Sequence, residues 1–315
     1  MMTLVTGANG FVGSALCETL RSDGVVVRGA VRSLRSQQDG FETVEVGSLT
    51  FETDWSAALK NVQQVVHLAA RVHIMDDDSQ DPLAEFRRVN VEGTANLARQ
   101  AASAGVRRFV FLSSIKVNGE FTEIGLPFTA DDVPAIEDPY GISKHEAEQL
   151  LRQIAAETGM EVVIIRPPLV YGPGVKANFE AMMRWLVRRV PLPLASVTHN
   201  RRSLVALDNL VDLIVTCLNH PAAANQTFLV SDGEDLSTAE LLRRLGLALG
   251  HPARLFYAPP ALLKLGAALV NKPGIYQRLC GSLQLDIGKT QQLLGWKPLV
   301  SVDEGLRRTA KGFRA

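Results

Sequence analysis

Three glycines near the amino end constrain this chain most. Gly7, Gly10 and Gly13 stand three residues apart, directly after the β-branched run Thr3–Thr6 and directly before Ser14–Arg21, whose apolar residues recur at helical spacing. A strand that turns at once into a helix needs residues without a Cβ at the turn, and the helix then aims its first, unpaired amides at whatever lies beyond it. Such a turn suits an anion, and a diphosphate drawn close to the backbone above all. The same spacing occurs in ordinary strand-helix turns, so its weight comes from the pattern of the chain beyond Arg21.

That pattern is an alternation. Thr3–Thr6, Val25–Val31, Val44–Val46, Val65–Leu68, Arg108–Leu112 and Val162–Ile165 read as strands, and Ser14–Arg21, Asn90–Ala104 and Ser143–Thr158 as helices between them. It predicts βαβ units on a parallel sheet: an α/β, doubly wound Rossmann domain over residues 1–166. After Arg166 prolines break the chain into short pieces, beginning with Pro167, Pro168 and Pro173. A smaller α/β substrate domain is expected over 167–315, interleaved with segments at about 204–230 that return to the first. Pro260–Val270, interrupted by Lys264, is shorter than the roughly 20 residues of a membrane-spanning helix and reads as a core helix.

Charge and cysteine content narrow the function classes. Lys plus Arg and Asp plus Glu are 33 each, so no net field holds nucleic acid or an anionic membrane, and any anion must be gripped by a local cluster. Cys17, Cys217 and Cys280 lie far apart, without the spacing of a zinc site or a disulfide framework. Thr3 opens an apolar strand with no basic-then-apolar leader. A cytoplasmic protein with reduced thiols is expected, without metal, nucleic-acid partner or membrane insertion.

The end of the second strand usually separates NAD from NADP, through an acid that hydrogen-bonds the adenosine ribose. Here Arg28-Gly29-Ala30-Val31-Arg32-Ser33 offers no carboxylate. Arg32 can pair with a 2′-phosphate, so NADP(H) is expected ahead of NAD(H).

Tyr140-Gly141-Ile142-Ser143-Lys144 sets a phenol and an ammonium four residues apart on a helix beginning near Asp138-Pro139. A phenol titrating near 10 is a poor acid-base catalyst at neutral pH, and a neighbouring ammonium stabilises its phenolate. Ser113-Ser114 closes the strand Arg108–Leu112, where a hydroxyl can hold the same carbonyl oxygen as the tyrosine, or else merely cap the strand. His67, in His67-Leu68-Ala69-Ala70 at the end of another strand, reads as structural.

These motifs, in this order, make the whole chain resemble the extended short-chain dehydrogenase/reductase family, which includes UDP-glucose 4-epimerase, dTDP-glucose 4,6-dehydratase and bacterial nucleotide-sugar reductases. The resemblance implies a catalytic trio of Ser114, Tyr140 and Lys144, with Tyr140 as acid-base, Lys144 as its pKa modifier and ribose contact, and Ser114 orienting the oxygen. It implies a cofactor site of Gly7, Asn9, Gly10, Phe11, Val12, Gly13, Arg32, Leu68, Ala69, Ala70 and Pro167, shared with Tyr140 and Lys144. Asn90 matches a family asparagine that is structural.

Departures from the family matter as much. The 4,6-dehydratases carry two acids after the catalytic hydroxyl, where this chain has Ile115 and Lys116, and isoleucine transfers no proton. Dehydration by that route is excluded, and Lys116 is expected to contact substrate. The run from Ser113 to Glu120 most resembles bacterial lipopolysaccharide enzymes that act on UDP-N-acetyl-6-deoxyhexos-4-uloses. The resemblance further implies a UDP-sugar substrate gripped by Arg202 and Arg278, with Asn178 at a helix start as nucleotide contact or simple cap. Three functions then compete in this order: NADPH-dependent reduction of a C4 ketone, 4-epimerisation of a UDP-hexose with retained NAD, and non-catalytic dinucleotide sensing. A homodimer is compatible with all three.

Overall fold

Short β-branched runs whose side chains are buried on both faces can only lie in the middle of a covered sheet. The computed structural model, which describes residues 1–34, 40–72, 81–269 and 273–313, places them there. Its strands are β1 (Met2–Thr6), β2 (Val26–Val31), β3 (Glu42–Glu45), β4 (Gln64–His67), β5 (Arg108–Leu112), β6 (Glu161–Arg166), β7 (Leu169–Tyr171), β8 (Leu204–Ala206) and β9 (Thr227–Leu229). Among the described residues seven of these form one parallel sheet in the order β3-β2-β1-β4-β5-β6-β9. The order reverses between β1 and β4, where the register sets Thr6 beside His67. A crevice opens at such a switch point, outside the carboxyl ends of the strands, and ligands of open α/β sheets bind there.

Each face has its own core. On one, helices Phe11–Ser22 and Leu207–Asn219 bury Leu16, Leu20, Leu210 and Ile214 against Val5, Val66 and Val110. On the other, Gly93–Ser103 and Pro139–Thr158 bury Leu97, Leu151 and Ile154 against Leu4, Val65 and Phe109. A third cluster lies away from the sheet, with Tyr171, Phe179, Leu204, Leu242, Val302 and Leu306 at its centre. The segment 204–230 serves both regions: β8 pairs with β7 in a separate two-stranded sheet, and β9 adds to the main sheet beside β6.

Three local expectations need correction. Asn90–Ala104 is not one α-helix: a wide π-type turn, Arg87–Glu92, precedes the regular helix Gly93–Ser103. From that turn the Asn90 side chain satisfies the backbone of Arg71, accepting its N–H at 2.8 Å and donating to its carbonyl at 3.0 Å. Asn178 is not a cap, since helix Ala177–Val187 starts from Lys176 with no side-chain cap and Asn178 is exposed on its first turn. Pro260–Leu269 is a helix but not a core one. Leu263 packs on the third cluster, whereas Leu262 and Leu265 are 58% and 56% exposed because no described element covers them; Val270 lies outside the described residues. No helix among the described residues is long and apolar enough to cross a membrane.

Candidate active site

The glycine turn is fixed by what a Cβ would strike. Gly7 has φ +65°, a left-handed conformation that strains any other residue, and a Cβ on it would sit 3.1 Å from the Ala69 nitrogen. A Cβ on Gly13 would fall 2.1 Å from the Gly7 carbonyl oxygen, so the helix could not close on the turn. Gly10 stands at the N-cap of Phe11–Ser22 with no side-chain cap and no acid in the first turn. The helix start is thus an uncapped set of amides with its positive end unopposed, which fits a diphosphate.

The strand end of β4 closes this cradle. Thr6 Oγ1 accepts the amides of Leu68 and Ala69, each at 3.1 Å, and turns its proton to His67 Nδ1 at 2.7 Å. His67 Nε2 faces Thr94 Oγ1 at 2.9 Å. Every partner is satisfied by a neutral ring protonated on Nε2. Burial, helped by the charge of Lys144, drives the His67 pKa down to about 3. His67 is a structural strut between β1 and the helix Gly93–Ser103.

The catalytic candidates converge at the ends of β5 and β6. Helix Pro139–Thr158 begins with Asp138, whose carboxylate accepts the Gly141 amide at 2.5 Å, and with Pro139 preset for a first turn. Tyr140 and Lys144 come next, one turn apart. Lys144 is buried, donates to the Leu112 carbonyl at 2.8 Å and lies 4.3 Å from the Phe111 ring centre. It therefore touches the strand end that continues into Ser113 and Ser114. Burial pulls its pKa down to about 7, with Glu148 opposing. Tyr140 lies edge-on to Phe86 at 5.9 Å, and burial, with the charge of Asp138, holds its phenol well above the usual tyrosine range.

Of the two adjacent serines, geometry selects one. Ser113 is buried and donates to Glu148 at 2.6 Å, leaving it no part in chemistry. Ser114 is half-buried and its oxygen accepts the Lys116 amide at 3.3 Å, which keeps its own proton for a ligand. It thus both caps the turn Ile115–Val117 and presents a donor. The Ile115 amide bonds the carbonyl of Pro167 at 3.0 Å, tying Ser114 to the end of β6.

Lys116 has its ammonium bonded to Glu120 at 2.9 Å and to Asp138. It is occupied within the protein instead of standing free for a substrate. Arg202 is half-buried, and its guanidinium donates to the Gly281 carbonyl at 3.1 Å. Gly281 directly follows the helix Pro273–Cys280 that carries the exposed Arg278, so both arginines belong to one neighbourhood. Arg32 is exposed just past β2 and pairs with no carboxylate among the described residues.

One part of the site is not evident from motifs. Glu148, fully buried, accepts from Arg166 at 2.6 and 2.9 Å and from Ser113 at 2.6 Å, while Arg166 also donates to Asn118 at 2.9 Å. This pair bolts the catalytic helix to β5 and β6 beneath Ser114. The available signal was spacing: Glu148 continues the stripe of Tyr140 and Lys144 by one more turn.

Comparison with known proteins shows the family. Residues 3–231 match the NAD dependent epimerase/dehydratase family. The chain belongs to that family. It is 52% identical over 98% of its length, and 94% of the relative's, to a UDP-glucose 4-epimerase of Vibrio cholerae. A UDP-glucose 4-epimerase of Mycolicibacterium smegmatis is 31% identical over all of this chain and 99% of its own. Among solved structures, MoeE5 in complex with UDP-glucose and NAD superposes with a TM-score of 0.78 at 25% identity, covering 99% of this chain and 98% of the other. The chain is accordingly an enzyme of the extended short-chain dehydrogenase/reductase group.

Proposed function

We propose that this enzyme interconverts UDP-hexoses at C4, with NAD held throughout. One observation carries the reading: Lys144, one turn after Tyr140, bonds the Leu112 carbonyl two residues before Ser114, in a chain 52% identical over 98% of its length to a protein named UDP-glucose 4-epimerase. NAD, held there, would supply a reversible hydride acceptor for the sugar C4. Gly7, Gly10 and Gly13 would admit its diphosphate, with Asn9, Phe11, Val12, Leu68, Ala69, Ala70 and Pro167 around it. Within each turnover Tyr140 takes the proton of the C4 hydroxyl as the alcohol is oxidised and gives it back as the ketone is reduced. Ser114 donates to the same oxygen and so stabilises charge developing there. Lys144, one helical turn from Tyr140, favours the phenolate when charged and brings that exchange toward neutral pH. Arg202 and Arg278 supply charge for the UDP diphosphate.

A second reading, reduction of the C4 ketone of a UDP-linked 4-keto-6-deoxy-N-acetylhexose, is favoured by Arg32 and by the missing carboxylate after β2, which suit the 2′-phosphate of NADPH. In that case the cofactor is a co-substrate and leaves after each turnover. The two separate on purification: the epimerase retains about one NAD per chain, whereas the reductase is isolated empty and oxidises NADPH when given the keto sugar.

A further inference from the structure

The neutral total charge hides a local imbalance. From Leu241 to Leu285 the chain contains no Asp or Glu, while Arg243, Arg244, Arg254, Lys264, Lys272 and Arg278 supply six cations. Arg244 is neutralised by Glu234, Glu240 and Asp303 from outside that stretch. Arg243, Arg254 and Lys264 are exposed and meet no carboxylate among the described residues.

The same stretch exposes apolar side chains on the cationic side. Leu255 turns inward to the third core cluster, and in extended chain its neighbours Arg254 and Phe256 turn outward. Phe256 is 50% exposed and Tyr257 71%. Helix Pro260–Leu269 continues directly from them, with Leu263 inward and Leu262, Lys264 and Leu265 outward. Exposed aromatic, leucine and basic side chains following one another over a dozen residues are the composition of a segment that lies in a membrane interface.

We infer that Arg254, Phe256, Tyr257, Leu262, Lys264 and Leu265 form a peripheral docking surface for an anionic lipid bilayer. The leucines and rings enter the headgroup boundary, and the two cations stay at the phosphate level. None of these six is among Ser114, Tyr140, Lys144, Arg202 and Arg278, so the surface sets where the enzyme works and not what it does.

Co-sedimentation with phosphatidylcholine vesicles, with and without phosphatidylglycerol, tests it on the full chain. The parent is expected to pellet with the anionic vesicles only, and to be released by high salt. Arg254→Glu and Lys264→Glu should each weaken partitioning by roughly fivefold or more. Leu262→Asp with Leu265→Asp should abolish it while turnover of a soluble UDP-sugar and Tm stay at parental values. Equal pelleting with both vesicle types, or none with either, overturns the proposal. So does a parent dimer in sedimentation equilibrium that the leucine variant converts to monomer, because the face is then buried between copies.

Discussion

The ammonium of Lys116, two residues after Ser114, is bonded to the carboxylate of Asp138, two residues before Tyr140. The same carboxylate caps the helix that carries Tyr140 and Lys144. The hydroxyl turn and the acid-base helix are therefore tied directly to each other, independently of the sheet beneath.

Lys116→Met should thus act on positioning. Turnover is expected to fall about tenfold with KM for the UDP-sugar little changed, since orientation is lost and ground-state binding is not. Lys116→Arg should recover part of the rate. A rise in KM with kcat intact would instead make Lys116 a substrate contact.

Lys144 sets a pH dependence of stability in the cofactor-free protein. Burial lowers its pKa from 10.5 to about 7, so folding opposes the charged form. The cost is fully present below about 7, shrinks as pH rises and vanishes near 10.5, because the unfolded chain keeps the proton that the folded chain sheds. Lys144→Met should therefore raise Tm over the parent at pH 6 and lose that advantage by pH 10. Calorimetry across that range checks the sign, and an advantage that grows with pH contradicts it.

Gly13→Ala tests the cradle. Its Cβ would lie 2.1 Å from the Gly7 oxygen, inside any permitted contact, so the helix must shift. Destabilisation of about 1 to 3 kcal/mol is expected, with loss of NAD binding by calorimetry.

Much of this was legible in the sequence because it depends on local chemistry. The glycine turn, the strands and the Tyr140–Lys144 spacing arise from backbone sterics and periodicity, and all appear in the structure. Less legible was whatever depends on tertiary partners. Ser113 and Ser114 are identical as letters, and only Glu148 distinguishes them. Pro260–Leu269 is apolar enough for a core, yet burial requires something to cover it, and periodicity does not report the neighbour. Lys116 was unreadable because its partner Asp138 is distant in sequence and adjacent only in the fold.

Arg202→Ala should weaken UDP binding by about tenfold or more while NAD affinity stays constant, as expected when a diphosphate loses a half-buried, charge-assisted partner. Titration calorimetry with UDP and with NAD separates the two effects. Unchanged UDP affinity would move the nucleotide site elsewhere.

Tyr140→Phe removes the transferable proton and keeps the ring that packs on Phe86. The most direct test is to give the purified parent and this variant UDP-glucose, without added cofactor, and to measure UDP-galactose by chromatography. Steady interconversion is expected from the parent, and from Tyr140→Phe a rate lower by about 100-fold or more with NAD still bound. A parent that leaves UDP-glucose and its N-acetyl counterpart untouched, or a Tyr140→Phe variant as fast as the parent, would contradict the epimerase mechanism.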